Sequence, residues 1–290
     1  CANSGSKCWE NVKIRECKDV SGKCQTCANL RTEAHNLMKE VYKLFNKFLE
    51  SKKINEEKLL NVKLSRIKSF QNRLDARYHL EQKACGDLIE KSLIPTKKLG
   101  EFLHSPMYTA QRGKRVYVKK GIQFLSTTDI SKINVLGIKK YLSKKTKGLS
   151  TLVVKKNWIL ISSSGQEILG SAFMVDGTYH ECAVNQHSIR VIIDEAKISP
   201  NYIYGFLSSK FGKRYIRSGI YGSAILTINE DFLANIKIPI LSEENIEIIS
   251  NKVKDARAKL EKASFLEHKA IQTVENEIAS WQKSNTQQEA

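Results

Sequence analysis

Between Ile246 and Trp281 the apolar residues fall on one narrow stripe: Ile246, Ile249, Val253, Ala256, Leu260, Ala263, Leu266, Ala270, Val274, Ile278 and Trp281. Ten steps cover 35 residues, an average of 3.5, which is the period of a coiled coil and not of a helix lying alone on a globular core. The stretch predicts a single helix of ~54 Å at about 1.5 Å per residue, with its seam against another helix. Ser242 supplies an N-cap, and Glu243 and Glu244 suit the positive helix start. A second seam lies near the other end of the chain, at Cys27, Leu30, Ala34, Leu37, Val41, Leu44 and Phe48, in alternating steps of 3 and 4. It ends near Glu50-Ser51, and Lys52 to Ser69 reads as a polar connection. The two seams are expected to pair as an antiparallel coiled coil.

The region between them has a different grammar. Gly121 to Leu125, Leu152 to Val154, Trp158 to Ile161, Ser188 to Ile193 and Ile236 to Ile240 are short β-branched or aromatic runs broken by Gly, Ser, Asn and Asp, and read as strands. Pro200 to Leu207 and Ser208 to Ile216 read as helical segments. The expected fold class is α+β: one mixed α/β domain flanked by two long helices. The divisions are a cysteine-rich stretch at 1–26, a first long helix and connection at 27–70, a mixed α/β domain at 71–241 and a second long helix at 242–290.

Charge is concentrated in the middle. The net charge is +18. Between Arg112 and Lys156 there are thirteen Lys or Arg and one acid, Asp129, so this segment alone supplies +12. A block of one sign repels itself unless an anion is its usual partner, and its local character suits a phosphate-binding face. The phosphate candidates are Arg112, Lys114, Arg115, Lys119, Lys120, Lys139, Lys140, Lys144, Lys145 and Lys147. Base edges are read by Arg, Gln, Asn, Ser or Thr in loops, and the candidates are Arg112, Arg115, Thr127, Thr128, Ser163, Gln166 and Tyr221.

Five of the seven cysteines lie in the first 27 residues. Cys24 and Cys27 form a C-x-x-C that, with Cys8 and Cys17, is a weak zinc candidate; the bland reading is reduced thiols. No secretory signal or membrane-length apolar run is present, and a cytoplasmic location is expected.

The order of features in the middle resembles the DNA specificity domain of type I restriction–modification S subunits. Arg73-Leu-Asp-Ala-Arg-Tyr78, Leu99-Gly-Glu-Phe102, Gly121 to Ile130, Trp158 to Gly165 with Gly170 to Val175, Ser199 to Ser209, Gly222 to Ile228 and Leu233 to Ile240 follow in sequence, and the long helix closes the series. The resemblance covers about residues 71 to 281. Family members usually hold two recognition domains and two spacer helices; here one domain is complete. The resemblance implies a non-catalytic subunit with no cofactor, which reads one half-site of a bipartite target in double-stranded DNA. Its implied partners are methyltransferase (modification) subunits, a motor-nuclease subunit through the complex, and a second copy of the chain. No membrane partner is expected.

Two other readings compete. Asp176, Glu195 and Lys197 outline a metal-dependent nuclease, against which stands an ordinary charged turn leading to Ser199-Pro200. A coiled-coil adaptor for an acidic protein would use the same helices without reading DNA. The four prolines are isolated and no P-loop is present, so methyltransferase and nucleotide-binding signatures are missing. His180, Cys182 and His187 lack a fourth ligand at metal-binding spacing.

Overall fold

The computed structural model describes residues 25–49, 85, 89, 92–132, 134–164, 168–222 and 225–288, with side chains as far as Trp281. Cys8, Cys17, Cys24, the connection from Lys52 to Ser69, the Arg73–Tyr78 motif and Gln166 lie outside the described residues.

Helix α1 (Gln25–Leu49) is followed by β1 (Thr96–Lys98), a 3-10 turn at Leu99–Phe102, β2 (Tyr108–Thr109), β3 (Tyr117–Val118), β4 (Ile122–Leu125), β5 (Tyr141–Leu142) and a one-turn α2 (Leu149–Leu152). Then come β6 (Ile159–Ser162), β7 (Ala172–Met174), β8 (Ala183–Val184), β9 (Ser188–Val191), α3 (Pro200–Ser208), α4 (Lys210–Ser218), α5 (Glu230–Ala234), β10 (Lys237–Pro239) and α6 (Glu243–Gln288). The fold is α+β, with long helices at both ends of the described chain. Pairing of β1 with β10, Lys97 opposite Ile238, closes the domain beside the start of α6.

Two four-stranded sheets, ordered β2-β9-β6-β7 and β3-β5-β4-β8, form the body. Strand β6 is central and buried along its whole length, which is why its sequence is a continuous apolar run instead of an alternation. Its alternate residues serve two cores. Ile159 and Ile161 join the large core with Ile189, Val191, Val41, Phe206 and Val253, whereas Leu160 faces Leu125, Val154 and Val184 in the second. The period of two along a strand makes this division. Arg190 lies opposite Leu160 in the register and is therefore on the second face. The run at Leu152–Val154, read above as a strand, is instead divided: Leu152 ends α2, and the extended Val153 makes an isolated bridge, to Ala183. An apolar run this short does not distinguish a strand from one helical turn.

Both seams form helices. Helix α6 has 46 residues, ~69 Å at about 1.5 Å each. It runs antiparallel to α1: Glu40 pairs with Lys252, Glu33 with Lys259 and Arg31 with Glu267 at 2.8 Å. The buried contact residues are Ala34 and Val41 on α1 and Ile249, Val253, Ala256 and Ala263 on α6. Helix α3 seats on this pair. Pro200 starts it after Ser199, Phe45 of α1 packs on Tyr202 and Phe206 with ring centroids 5.5 and 5.6 Å apart, and the Tyr202 hydroxyl donates to the Pro239 carbonyl at 2.7 Å. The later part of the α6 stripe emerges: Leu260, Leu266, Val274, Ile278 and Trp281 are exposed, the last at 47%, although Ala263 between them is buried. The period thus predicts the helix but covers only its first half among the described residues.

Candidate nucleic-acid interface

The hairpin of β6 and β7 has a near end and a far end. At the near end, Asn157, Val175 and Gly177 meet α6. Arg257 donates to the Asn157 and Asn201 side chains (3.5 and 2.9 Å) and to the Val175 carbonyl (2.7 Å), and Glu261 accepts from Gly177 N at 3.1 Å. At the far end, Ser162 pairs with Ser188 and Ser163 N donates to the His187 carbonyl at 2.9 Å.

This polarity sorts the cations. Lys156 pairs with Glu261 at 3.9 Å and Lys139 with Glu275 at 4.0 Å, both on α6. Lys132 and Lys140 converge on Asp129 at 2.7 and 3.7 Å. Asp129, the one acid of the basic block, is 3% exposed. Burial alone would raise its pKa. Hydrogen bonds from Lys132 and Ser126 and the charge of Lys140 outweigh it and pull the carboxyl down to about 2. The acid is therefore consumed inside the domain and does not neutralise the surface.

The other cations are exposed. Arg112, Lys114, Lys144, Lys145 and Lys147 have no ion pair among the described residues, nor have Lys119 and Lys120 in the turn between β3 and β4. Val116 and Ser143 are hydrogen-bonded at the end of the β3–β5 ladder, which sets Lys114 and Arg115 beside Lys144 and Lys145. The opposite end of that ladder turns Lys119 and Lys120 toward Lys139 and Lys140. Gly148 has φ +71°, and a Cβ there would meet the Gln111 amide oxygen at 2.8 Å, so the Lys147 turn lies directly against the Arg112 segment.

The polar candidates divide. Thr127 is 5% exposed and donates to Asn185 Oδ1 at 2.7 Å; Ser163 is 7% exposed. The Thr127 hydroxyl is thus engaged within the domain, whereas Ser163 is fixed through its backbone, its N donating to the His187 carbonyl. Thr128 is exposed and shares a hydrogen bond with Ser126. Tyr221 is exposed at the base of a hairpin that it closes on Thr227. Reasoning from the sequence missed Gln186 and His187. They are half-buried at the far end and hydrogen-bonded to Arg115 and Ser164 respectively. It also missed the exposed Lys210 and Lys213 on α4, whose Arg217 donates to the Leu169 carbonyl on the β6–β7 hairpin at 3.2 Å.

The nuclease residues are each committed elsewhere. Asp176 accepts from Thr178 N and Oγ1 at 2.8 and 2.6 Å, Glu195 accepts from Asn157 at 3.0 Å, and Lys197 donates to the Glu101 carbonyl at 3.1 Å. Among the described residues no three His, Cys, Asp or Glu stand together as metal ligands. Cys27, the one zinc candidate among the described residues, is a buried residue of α1. Cys182 is buried and donates to Gln123 Oε1 at 3.2 Å, apart from His180, which accepts from Lys156 N. Among the described residues no helix is long and apolar enough to cross a membrane.

An α+β domain with an unneutralised cationic end, mounted on a long helix pair, defines a polyanion-binding module. Its family follows from comparison: the type I restriction modification DNA specificity domain matches residues 92–267, more than half of the chain, and the chain belongs to that family. No curated protein matches the sequence. Similar solved chains include a type I restriction–modification S subunit from M. genitalium, at 14% identity and TM-score 0.40, over 85% of this chain and 56% of that one. Another is an HsdS subunit from Thermoanaerobacter tengcongensis, at 14% identity and TM-score 0.41, over 77% and 62%. A third comes from work on complex assembly and conformational transition of the type I R-M system, at 14% and 0.42, over 85% and 57%. The chain thus spans little more than half the length of these structures.

Proposed function

We propose that this chain is the sequence-specific DNA-binding subunit of a type I-like restriction–modification complex, reading one half-site of a bipartite target with the far end of its recognition domain. The observation that carries the reading is the sorting of charge: Lys139 and Lys156 are paired with acids of α6, whereas Arg112, Lys114, Lys144, Lys145 and Lys147 have no ion pair among the described residues. Unpaired surface cations of one sign are what a phosphate backbone requires, and each contact made releases counterions. The exposed stripe from Leu266 to Trp281 supports the second part of the proposal: the helix pair docks methyltransferase subunits or a second copy and sets the distance between half-sites. Catalysis then resides in the partner subunits, the motor-nuclease among them, and the dispersal of Asp176, Glu195 and Lys197 is in keeping with that division. The test is a gel shift with duplex DNA over a range of salt, with heparin and an acidic protein as competitors. Steep salt dependence and a preferred sequence are expected; indifference between duplex and acidic protein would favour the adaptor. Cleavage lost in Glu195→Ala or Lys197→Ala would overturn the non-catalytic assignment.

A further inference from the structure

Four side chains from three distant segments form a hydrogen-bonded rail across the far end. Arg115 Nη2 donates to Gln186 Oε1 at 3.3 Å, Gln186 Nε2 lies 3.3 Å from His187 Nε2, and His187 Nδ1 lies 2.8 Å from Ser164 Oγ. One proton arrangement satisfies the rail. Arg115 is only a donor, so Gln186 Oε1 must accept; its amide nitrogen then donates to His187 Nε2, and the imidazole keeps its proton on Nδ1, toward Ser164. The two 3.3 Å bonds are at the long limit for such groups, while the 2.8 Å bond is firm. Exchanging the long bonds for a base edge frees an amide, with one donor side and one acceptor, and an imidazole acceptor whose orientation Ser164 still holds.

The loop beneath the rail is fixed from inside. Arg190 is 0% exposed and occupies a slot in β9 whose neighbour across the sheet is Leu160. Its guanidinium donates to the carbonyls of Asn185 (3.0 Å), Val184 (2.6 Å), Leu152 (3.4 Å) and Ser188. Four carbonyls around one cation, with no carboxylate among them, close the 184–188 turn and tie it to α2, which follows the Lys147 turn. Asn185 Oδ1 adds hydrogen bonds from Thr127 and from His187 N. A buried cation is costly unless hydrogen-bonded; the carbonyls meet both Nη atoms of Arg190 while its buried Nε has no partner, and a hydrophobic residue at this slot would suffice for packing alone. What Arg190 adds is a rigid turn that presents two planar polar side chains between unpaired lysines.

We propose that Gln186 and His187 are specificity-determining residues that read base edges in the half-site, and that Arg190 is the positioning residue for their loop. This rests on the DNA-binding reading above. The Gln186 amide matches adenine N6 and N7, and His187 Nε2 accepts from the exocyclic amine of adenine or cytosine. Lys144, Lys145 and Lys147 hold phosphates alongside and carry no sequence information.

The experiment is selection of preferred sites from random duplex DNA by the full chain, together with any methyltransferase subunit that co-purifies with it. Variants are Gln186→Ala, His187→Ala, Arg190→Met and the triple Lys144→Ala/Lys145→Ala/Lys147→Ala. Gln186→Ala and His187→Ala should each lose preference at one or two adjacent base pairs, on the order of tenfold in discrimination, with affinity for mixed-sequence DNA within about twofold. Arg190→Met should relax the same positions together, a readout that general weakening of binding would not give; Arg190→Lys should retain part of the preference. The lysine triple should weaken every sequence alike. If the parent selects a site that Gln186→Ala and His187→Ala leave unchanged, the assignment of these residues is overturned while DNA reading stands. A parent that selects no sequence overturns the DNA-reading function, and the assignment with it.

Discussion

The two ends of the recognition domain use the same kinds of residue to opposite effect. At the α6 end, Arg257, Lys139, Lys156 and Asn134 all find partners on or beside the helix, with Asn134 donating to Glu267 at 2.7 Å. At the far end the lysines stand alone and the polar groups bond to one another. Paired charges fix the domain to its helices; unpaired ones leave a field for something outside to satisfy. A count of lysines cannot separate these roles, and only the position of the acids does so.

This contrast can be broken at either end. The largest effect on stability should come from Arg257→Met. Its guanidinium is held by three acceptors, and Asp176 and Glu261 are close enough to favour its charge although burial opposes it. Removal leaves the Asn157, Asn201 and Val175 acceptors without their donor and the buried Asp176 without its nearby cation, and should cost about 3–5 kcal/mol, seen as a lowered midpoint in urea or heat. Asp129→Asn should cost less, about 1.5–3 kcal/mol, the worth of hydrogen bonds to a charged group. That difference has a defined pH dependence. The folded carboxyl titrates near 2, below its unfolded value, so the parent's advantage over Asp129→Asn is full above about pH 4 and fades as pH falls through 2. An advantage that persists below pH 2 would show that Asp129 acts by shape and not by charge. Smallest for the fold, within about 0.5 kcal/mol, should be the triple substitution of Lys144, Lys145 and Lys147 by Ala. The same triple should flatten the salt dependence of DNA binding by up to ~3 units. Unchanged slope with unchanged affinity would move the DNA face elsewhere.

Much of the scaffold was legible because it depends on local period. The 3.5-residue stripe foretold α6, and the apolar run at Trp158–Ile161 foretold the central strand. What period cannot say is what covers a stripe, and Ile249 is buried while Trp281 is not. The basic block was legible as composition, but its division was not. Lys139 meets its acid on Glu275, far along the chain, and Lys144 meets none among the described residues. The rail was least legible, since Arg115 and Gln186 are 71 residues apart and each reads as an ordinary surface side chain until β4, β8 and β9 bring the segments together. Thr127 and Ser163 are candidates by chemistry alone, and their burial was not legible in the sequence. Arg190 looked like one polar residue in a strand; only the register shows it facing a core.

Gly205 bears on how errors propagate. A Cβ at this position would come within 3.2 Å of Val41 and Val253 and 3.4 Å of Ile249, so α3 touches both long helices through bare backbone. The groups proposed to meet DNA stand at the other end of the domain, where a small tilt becomes a larger sideways displacement. Mechanically this is a short bearing carrying a long arm. A methyl group at Gly205 would barely alter the hydrophobic total, yet it would push α3 off Val41 and Val253 and, on the proposed reading, shift the far end relative to the duplex. On the proposed DNA-binding reading, registration of the domain against its target therefore depends in part on a missing side chain at this seat, remote from the residues proposed to read bases.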